Sequence, residues 1–140
     1  MDMEARMFKA YAKGDEKIQL KIISGHFITS QSHITHYLDM TTMKTRCAEA
    51  AQIARLLSAK YEATTPVDSI ICLDGLEVVG AFLAEELAKA GVLSMNAHKT
   101  IYIVTPEFHA NGQMLFRDNT QNMVKNRNTV ILMGSITTGT

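Results

Sequence analysis

Three short runs of apolar residues set the strongest constraint on this 140-residue chain. They lie at 70–73 (Ile70-Ile71-Cys72-Leu73), 100–104 and 129–133. None alternates apolar with polar residues, as a strand with one wet face would. Between the first two, residues 75–90 place Val79, Phe82, Leu83 and Leu87 in helical phase, with Gly91 as the stop. Unbroken apolar strands joined through a helix predict an α/β fold: a parallel sheet with helices over both faces. In such sheets ligands gather beyond the carboxyl ends of the strands. Three stretches therefore matter most for function: 74–80, 105–112 and 134–140.

The rest of the chain fits one domain, 1–140, with an N-terminal segment (1–40) and an α/β core (41–140). The N-terminal segment is a small helix-and-strand lead-in. Residues 1–13 carry Met3, Met7, Ala10 and Tyr11 at helical spacing before Gly14, which predicts a helix. Residues 18–40 are rich in Ile, Thr, Phe and Tyr, and Ser24-Gly25 and Ser30-Gln31-Ser32 punctuate them, which predicts short strands or a hairpin. A second helix is expected over 42–61, with Cys47, Ala51, Ala54, Leu57 and Tyr61 on its apolar side and an end at Thr64-Thr65-Pro66. The polar stretch 105–128 reads as a long functional or mobile loop.

Composition narrows the classes of function. Fourteen basic residues balance fourteen acidic ones. A zero net charge removes the electrostatic case for nucleic acid or an anionic membrane, and no apolar run approaches the roughly 18 residues of a membrane span. Cys47 and Cys72 give neither zinc spacing nor a disulfide framework, so a reducing cytoplasm is the expected setting. Cys72, inside an apolar strand, is expected to be inert core. His33, His36 and Asp39 could suggest metal ligands. In an extended segment, however, residues 33 and 36 point to opposite faces, and surface or packing roles are the simpler reading. No metal site is therefore assigned to protein side chains. Asp74 and Glu77 follow a strand end. They could orient a ligand or cation, or simply complement a helix N-terminus. Lys99, Lys125 and Arg127 read as solvated loop charge.

The end of the chain carries the clearest chemical pattern. Val130-Ile131-Leu132-Met133 runs into Gly134-Ser135-Ile136-Thr137-Thr138-Gly139-Thr140. Glycine permits a tight path, backbone amides can point inward, and hydroxyls add donors, which together suit a phosphate. An ordinary polar turn has the same composition.

The Ile136-Thr137-Thr138-Gly139 run after an apolar strand resembles the phosphoribosyl diphosphate signature of type I phosphoribosyltransferases. Three further stretches agree in order. The series Gly25, Phe27, Ser30, His33, Tyr37 and Asp39 is similar to the N-terminal segment of orotate phosphoribosyltransferases. Glu77, Gly80, Leu83 and Ala84 look like their diphosphate-loop region, and Glu107 and Gly112 fall where their mobile catalytic loop has a Glu and a Gly. The resemblance implies a phosphoribosyltransferase-like parallel sheet, here truncated at its C-terminus. It also implies transfer of a phosphoribosyl group from phosphoribosyl diphosphate to orotate or a related base, with Mg²⁺, in a homodimer. Carried over residue by residue, it assigns the phosphate to Ile136, Thr137, Thr138, Gly139 and Thr140. It assigns the diphosphate loop to Asp74, Gly75 and Glu77, and catalysis to Glu107 and His109.

The chain departs from that pattern where charge is needed. The family's two ribose-binding acids fall on Met133 and Gly134, whose side chains accept no hydrogen bonds. Val79 replaces a glycine, and within 105–112 only His109 can become cationic. Two readings of function follow: an orotate phosphoribosyltransferase-like enzyme, and a non-catalytic phosphoribosyl- or nucleotide-binding or regulatory protein on the same fold.

Overall fold

The computed structural model describes residues 2–30, 32–61, 65–89, 91 and 93–136. The N-terminal part is a three-stranded antiparallel sheet, in the order β1-β2-β3, of β1 (Met7–Ala12), β2 (Asp15–Ile28) and β3 (His33–Asp39). The helix predicted over 1–13 does not form. A single 3-10 turn at Glu4–Arg6 leads straight into β1. Phe8 and Tyr11 suit a strand as well as a helix, and a pairing partner decides the matter. Ala12 lies opposite Asp15, so Lys13-Gly14 is a two-residue turn, and Gly14 has the positive φ of 93° that a type II turn needs at its second central residue. Gly14 thus ends a strand rather than a helix. The predicted strand region at 18–40 does form strands, and its Ser24-Gly25 punctuation marks an irregularity in β2 between Ser24 and Phe27.

The helix expected over 42–61 is two helices, α1 (Thr41–Thr45) and α2 (Cys47–Ser58), separated by Arg46 in an extended conformation. The Thr45 hydroxyl donates to the Thr41 carbonyl at 2.7 Å, a side-chain bond that competes with helix continuation. Of the predicted apolar side, Ala54 is buried and Leu57 and Tyr61 pack against the core, Ala50 is buried beside them, and Cys47 is exposed. Small residues there let α2 approach α3 (Glu77–Lys89), whose Val79, Gly80, Leu83 and Leu87 are buried.

The core sheet is parallel, as predicted. The strand β4 (Ser69–Cys72) is buried at every position. It lies between β5 (Tyr102–Val104) and β8 (Thr129–Leu132), in the order β5-β4-β8. Ile70, Cys72, Ile103, Val130 and Leu132 share one face and pack with Ala54, Leu57, Phe82, Leu83 and Leu87 of α2 and α3. The expectation of helices over both faces is met on this face alone among the described residues. The opposite face keeps Tyr102 41% and Ile131 49% exposed.

The stretch 105–128 is not a plain loop. It holds a hairpin of β6 (Glu107–Phe108) and β7 (Met114–Leu115) and a short helix, α4 (Asp118–Gln121). Among the described residues no helix is long and apolar enough to cross a membrane.

Polar clamps secure the amino end of the sheet. Asp68 accepts hydrogen bonds from the Asn128 amide (2.8 Å) and side chain (3.0 Å) and pairs with Lys99 at 2.5 Å. These contacts tie β4 to the segments that enter β5 and β8. Asn96 is fully buried and fully used: Val67 donates its amide to Oδ1, and Nδ2 donates to the Thr65 carbonyl, both at 2.8 Å. With its hydrogen-bonding groups satisfied, Asn96 avoids the cost of burying an unpaired amide.

Candidate functional site

The carboxyl ends of β4, β5 and β8 face the same way because the strands are parallel. The chain leaves β4 through Leu73-Asp74-Gly75-Leu76. Both central residues have positive φ, 56° at Asp74 and 73° at Gly75, and the Leu76 amide donates to the Leu73 carbonyl at 3.1 Å. Positive φ at both central positions is the pattern of a type I′ turn, for which Asp-Gly is a preferred pair. Glu77 then opens α3, where a carboxylate complements the positive helix end.

This turn meets the exit of β8. The Gly134 amide donates to Asp74 Oδ2 at 3.0 Å. A side chain on Gly134 would start 3.6 Å from that oxygen and 3.3 Å from the sulfur of Met40. The third strand joins through Thr105, whose hydroxyl donates to Glu77 Oε1 at 3.3 Å. Asp74 and Gly134 are therefore brought together, with Gly75 and Glu77 following Asp74 in the chain. Ile136 is described and 68% exposed, while Thr137, Thr138, Gly139 and Thr140 lie outside the described residues.

The segment between β3 and α1 closes one side. Met40 lies against Gly134, and the Lys44 side chain comes within 3.9 Å of where a Cβ on Gly75 would stand. No ion pair joins Lys44 to a carboxylate among the described residues. Hydrogen bonds from the Thr41 hydroxyl and amide, with the nearby Lys21 charge, hold Asp39 below the usual carboxylate value. Lys21 also donates to the Thr42 hydroxyl at 3.3 Å. Met40 and Lys44 were not legible as site residues, because only the fold brings them beside residues 75 and 134.

Glu107 and His109 fall on the β6–β7 hairpin. Arg117 donates to Glu107 through Nε at 2.6 Å and pairs with it again through its terminal nitrogen. Glu107 is thus already engaged, and Arg117 is a loop cation that lies outside 105–112. His109 sits at the hairpin turn. Its amide donates to the Gln113 carbonyl and its carbonyl accepts the Gly112 amide, both at 2.9 Å, with Gly112 at a φ of 80°.

The histidines at 33 and 36 do not converge. The His33 ring bonds to His26 at 3.0 Å, while His36 bonds to Thr35 and meets Phe8 edge-on. Among the described residues, no group of three or more His, Cys, Asp or Glu could hold a metal ion. Burial pushes the Cys72 thiol up to about 11, and the Glu77 charge adds to the shift. That is the inert core cysteine expected.

Two surface recesses stand out, and the second borders the site at Glu77. One is lined by Tyr61, Pro66 and residues 127–131, and another by Glu77, Val78, Phe82 and Glu85 on the side of α3. Among the described residues, the carboxyl-end site is built from the loops that follow β4, β5 and β8. Comparison with family models, curated proteins and solved structures finds no match for this chain.

Proposed function

We propose that the chain binds a phosphorylated ribose at the carboxyl end of its parallel sheet, as an orotate phosphoribosyltransferase-like protein with a phosphoribosyltransferase-like fold. The observation that carries this reading is the Asp74–Gly134 hydrogen bond. It joins the Asp-Gly turn after β4 to the start of the Gly134-to-Thr140 run, whose Thr137-Thr138-Gly139 has the chemistry of a phosphate cradle. The Asp-Gly turn and Gly134, where that run begins, lie at the sheet end where α/β proteins bind ligands.

Binding without turnover is the form of this reading that the residues favour. In phosphoribosyl transfer, diphosphate leaves as a cationic sugar develops, and catalysis depends on neutralising the growing charge. The hairpin's Arg117 is paired with Glu107, and Met133 and Gly134 offer no side-chain acceptor for the sugar. Phosphoribosyl diphosphate is the natural larger ligand, and orotate is the base that the resemblance suggests. Mg²⁺ would arrive with the diphosphate and keep several waters, since it commonly uses only one or two carboxylates. Asp74 and Glu77 are the carboxylates available at this site. When bound, Mg²⁺ would neutralise diphosphate charge. The reading keeps the chain in the cytoplasm, where phosphorylated sugars are found, and as a homodimer.

Calorimetric titration with ribose 5-phosphate and with ribose tests the reading, alongside a diphosphate-release assay with phosphoribosyl diphosphate, orotate and Mg²⁺. Binding of ribose 5-phosphate but not ribose, lost in Gly139→Val, is expected, with no turnover. Release at the usual enzyme rate of about 1–10³ per second would establish a transferase instead. Equal affinity of Gly139→Val and the parent chain would remove the cradle.

A further inference from the structure

We propose that His26 and His33 form a two-imidazole site for a divalent ion of the late first-row transition series, with Zn²⁺ as the type case. The site lies on the N-terminal sheet and does not depend on the phosphate reading. His26 Nε2 and His33 Nδ1 face each other at 3.0 Å, and the rings meet edge to face with centroids 5.0 Å apart. Zinc-to-nitrogen distances of about 2.0–2.1 Å, at a tetrahedral or a right angle, put two ligating nitrogens roughly 2.8–3.4 Å apart. The facing nitrogens therefore already stand at the separation that one shared ion requires. Neither ring has another hydrogen-bond partner among the described residues, and both histidines are exposed.

The backbone holds the pair in place. Ser24 lies opposite His36 and Phe27 opposite Ile34, so Gly25 and His26 together face Thr35 alone. Two residues against one is a β-bulge, a device that re-aims side chains. Here it carries His26 of β2, which meets His33 of β3. His33 in turn follows a fixed turn. The Thr29 amide donates to the Ser32 carbonyl and the Ser32 amide donates to Thr29 Oγ1, both at 2.9 Å. Imidazole nitrogen suits Zn²⁺, Ni²⁺ and Cu²⁺, whereas Mg²⁺ prefers oxygen. With two ligands from the protein, water completes the coordination, and the exposure of both residues leaves room for it. Each ring ligates as neutral imidazole and keeps its proton on the far nitrogen, Nδ1 of His26 and Nε2 of His33. In the metal-free chain one facing nitrogen donates to the other. The ion moves that proton to the far nitrogen of the same ring, so no net proton is lost.

Zn²⁺ and Mg²⁺, titrated separately into the chelator-treated, ¹⁵N-labelled chain at a pH above the ordinary histidine range, provide the test. Side-chain ¹⁵N–¹H spectra report each imidazole nitrogen, and the titration is repeated on His26→Gln, His33→Gln and His36→Gln. Zn²⁺ should shift His26 Nε2 and His33 Nδ1 together, and Mg²⁺ should shift neither. His26→Gln and His33→Gln should each weaken zinc binding by more than about tenfold, the smallest cost of losing even a supporting partner of a metal ligand. His36→Gln, whose position alternates to the other face of β3, should bind as the parent does. Gln at these exposed positions disturbs no buried packing, so the variants report on the site rather than on folding. Zinc that leaves both rings unshifted, as binding at the exposed Cys47 thiol would, would overturn the proposal. So would an affinity that falls in only one of the two variants, or in neither.

Discussion

The sulfur of Cys72 fills the space that a side chain on Gly80 would need, so α3 rests on β4 with nothing between them. Both residues are buried. The contact sets how closely the helix approaches the sheet, and hence where the Asp74–Glu77 segment between them lies.

Gly80→Ala should therefore destabilise the chain by about 1–3 kcal/mol, the range for overpacking a tight core. This outweighs the gain of about 1 kcal/mol from replacing glycine inside a helix. Cys72→Ala alone leaves a small void. The double variant should recover most of what Gly80→Ala loses. Urea midpoints of the four proteins provide the check, and a Gly80→Ala chain as stable as its parent would contradict the packing.

The two thiols should differ sharply. Cys47 is exposed, whereas burial lifts Cys72 to about 11. Because the thiolate is the reactive form, one thiol should be labelled at pH 8 in the native protein and two in denaturant, as counted by mass spectrometry. Two fast-labelling thiols in the native state would show that β4 is open.

The Asp68 clamp gives stability a pH dependence. Hydrogen bonds from Lys99 and Asn128 lower this carboxyl from its ordinary value to about 2. A depressed folded value contributes stability above the unfolded value and loses it as the pH falls from there through about 2. Asp68→Asn should cost about 1–2 kcal/mol at pH 7, less than full linkage because both partners keep partial solvent exposure. The gap should close by about pH 2, as read from denaturation midpoints across pH. A gap that persists unchanged at low pH would assign the loss to something other than charge.

The parallel sheet was legible because β4, β5 and β8 are short apolar runs, and burial on β4 forces that pattern. The first strand was not, because Met7–Ala12 fits either periodicity and only its pairing with β2 decides. The hairpin within 105–128 did leave a signal, Asn111-Gly112, a favoured turn pair that stands where β6 returns as β7. The Asp-Gly turn at 74–75 was legible as a turn, a favoured pair placed after a strand. Its bond to Gly134 was not, because contacts 60 residues apart have no local periodicity to betray them. Lys44 was hidden for the same reason, since only the fold brings it beside Gly75.

The central claim is that phosphate is bound where β4 and β8 end. The most direct measurement is a ¹⁵N–¹H correlation spectrum of the labelled chain, titrated with ribose 5-phosphate. The account predicts shifts confined to the amides of Gly75, Glu77 and residues 134–140, saturating together with one dissociation constant. Shifts centred on Asp68, Lys99 and Asn128 at the opposite end of the sheet, or none at millimolar ligand, would contradict it.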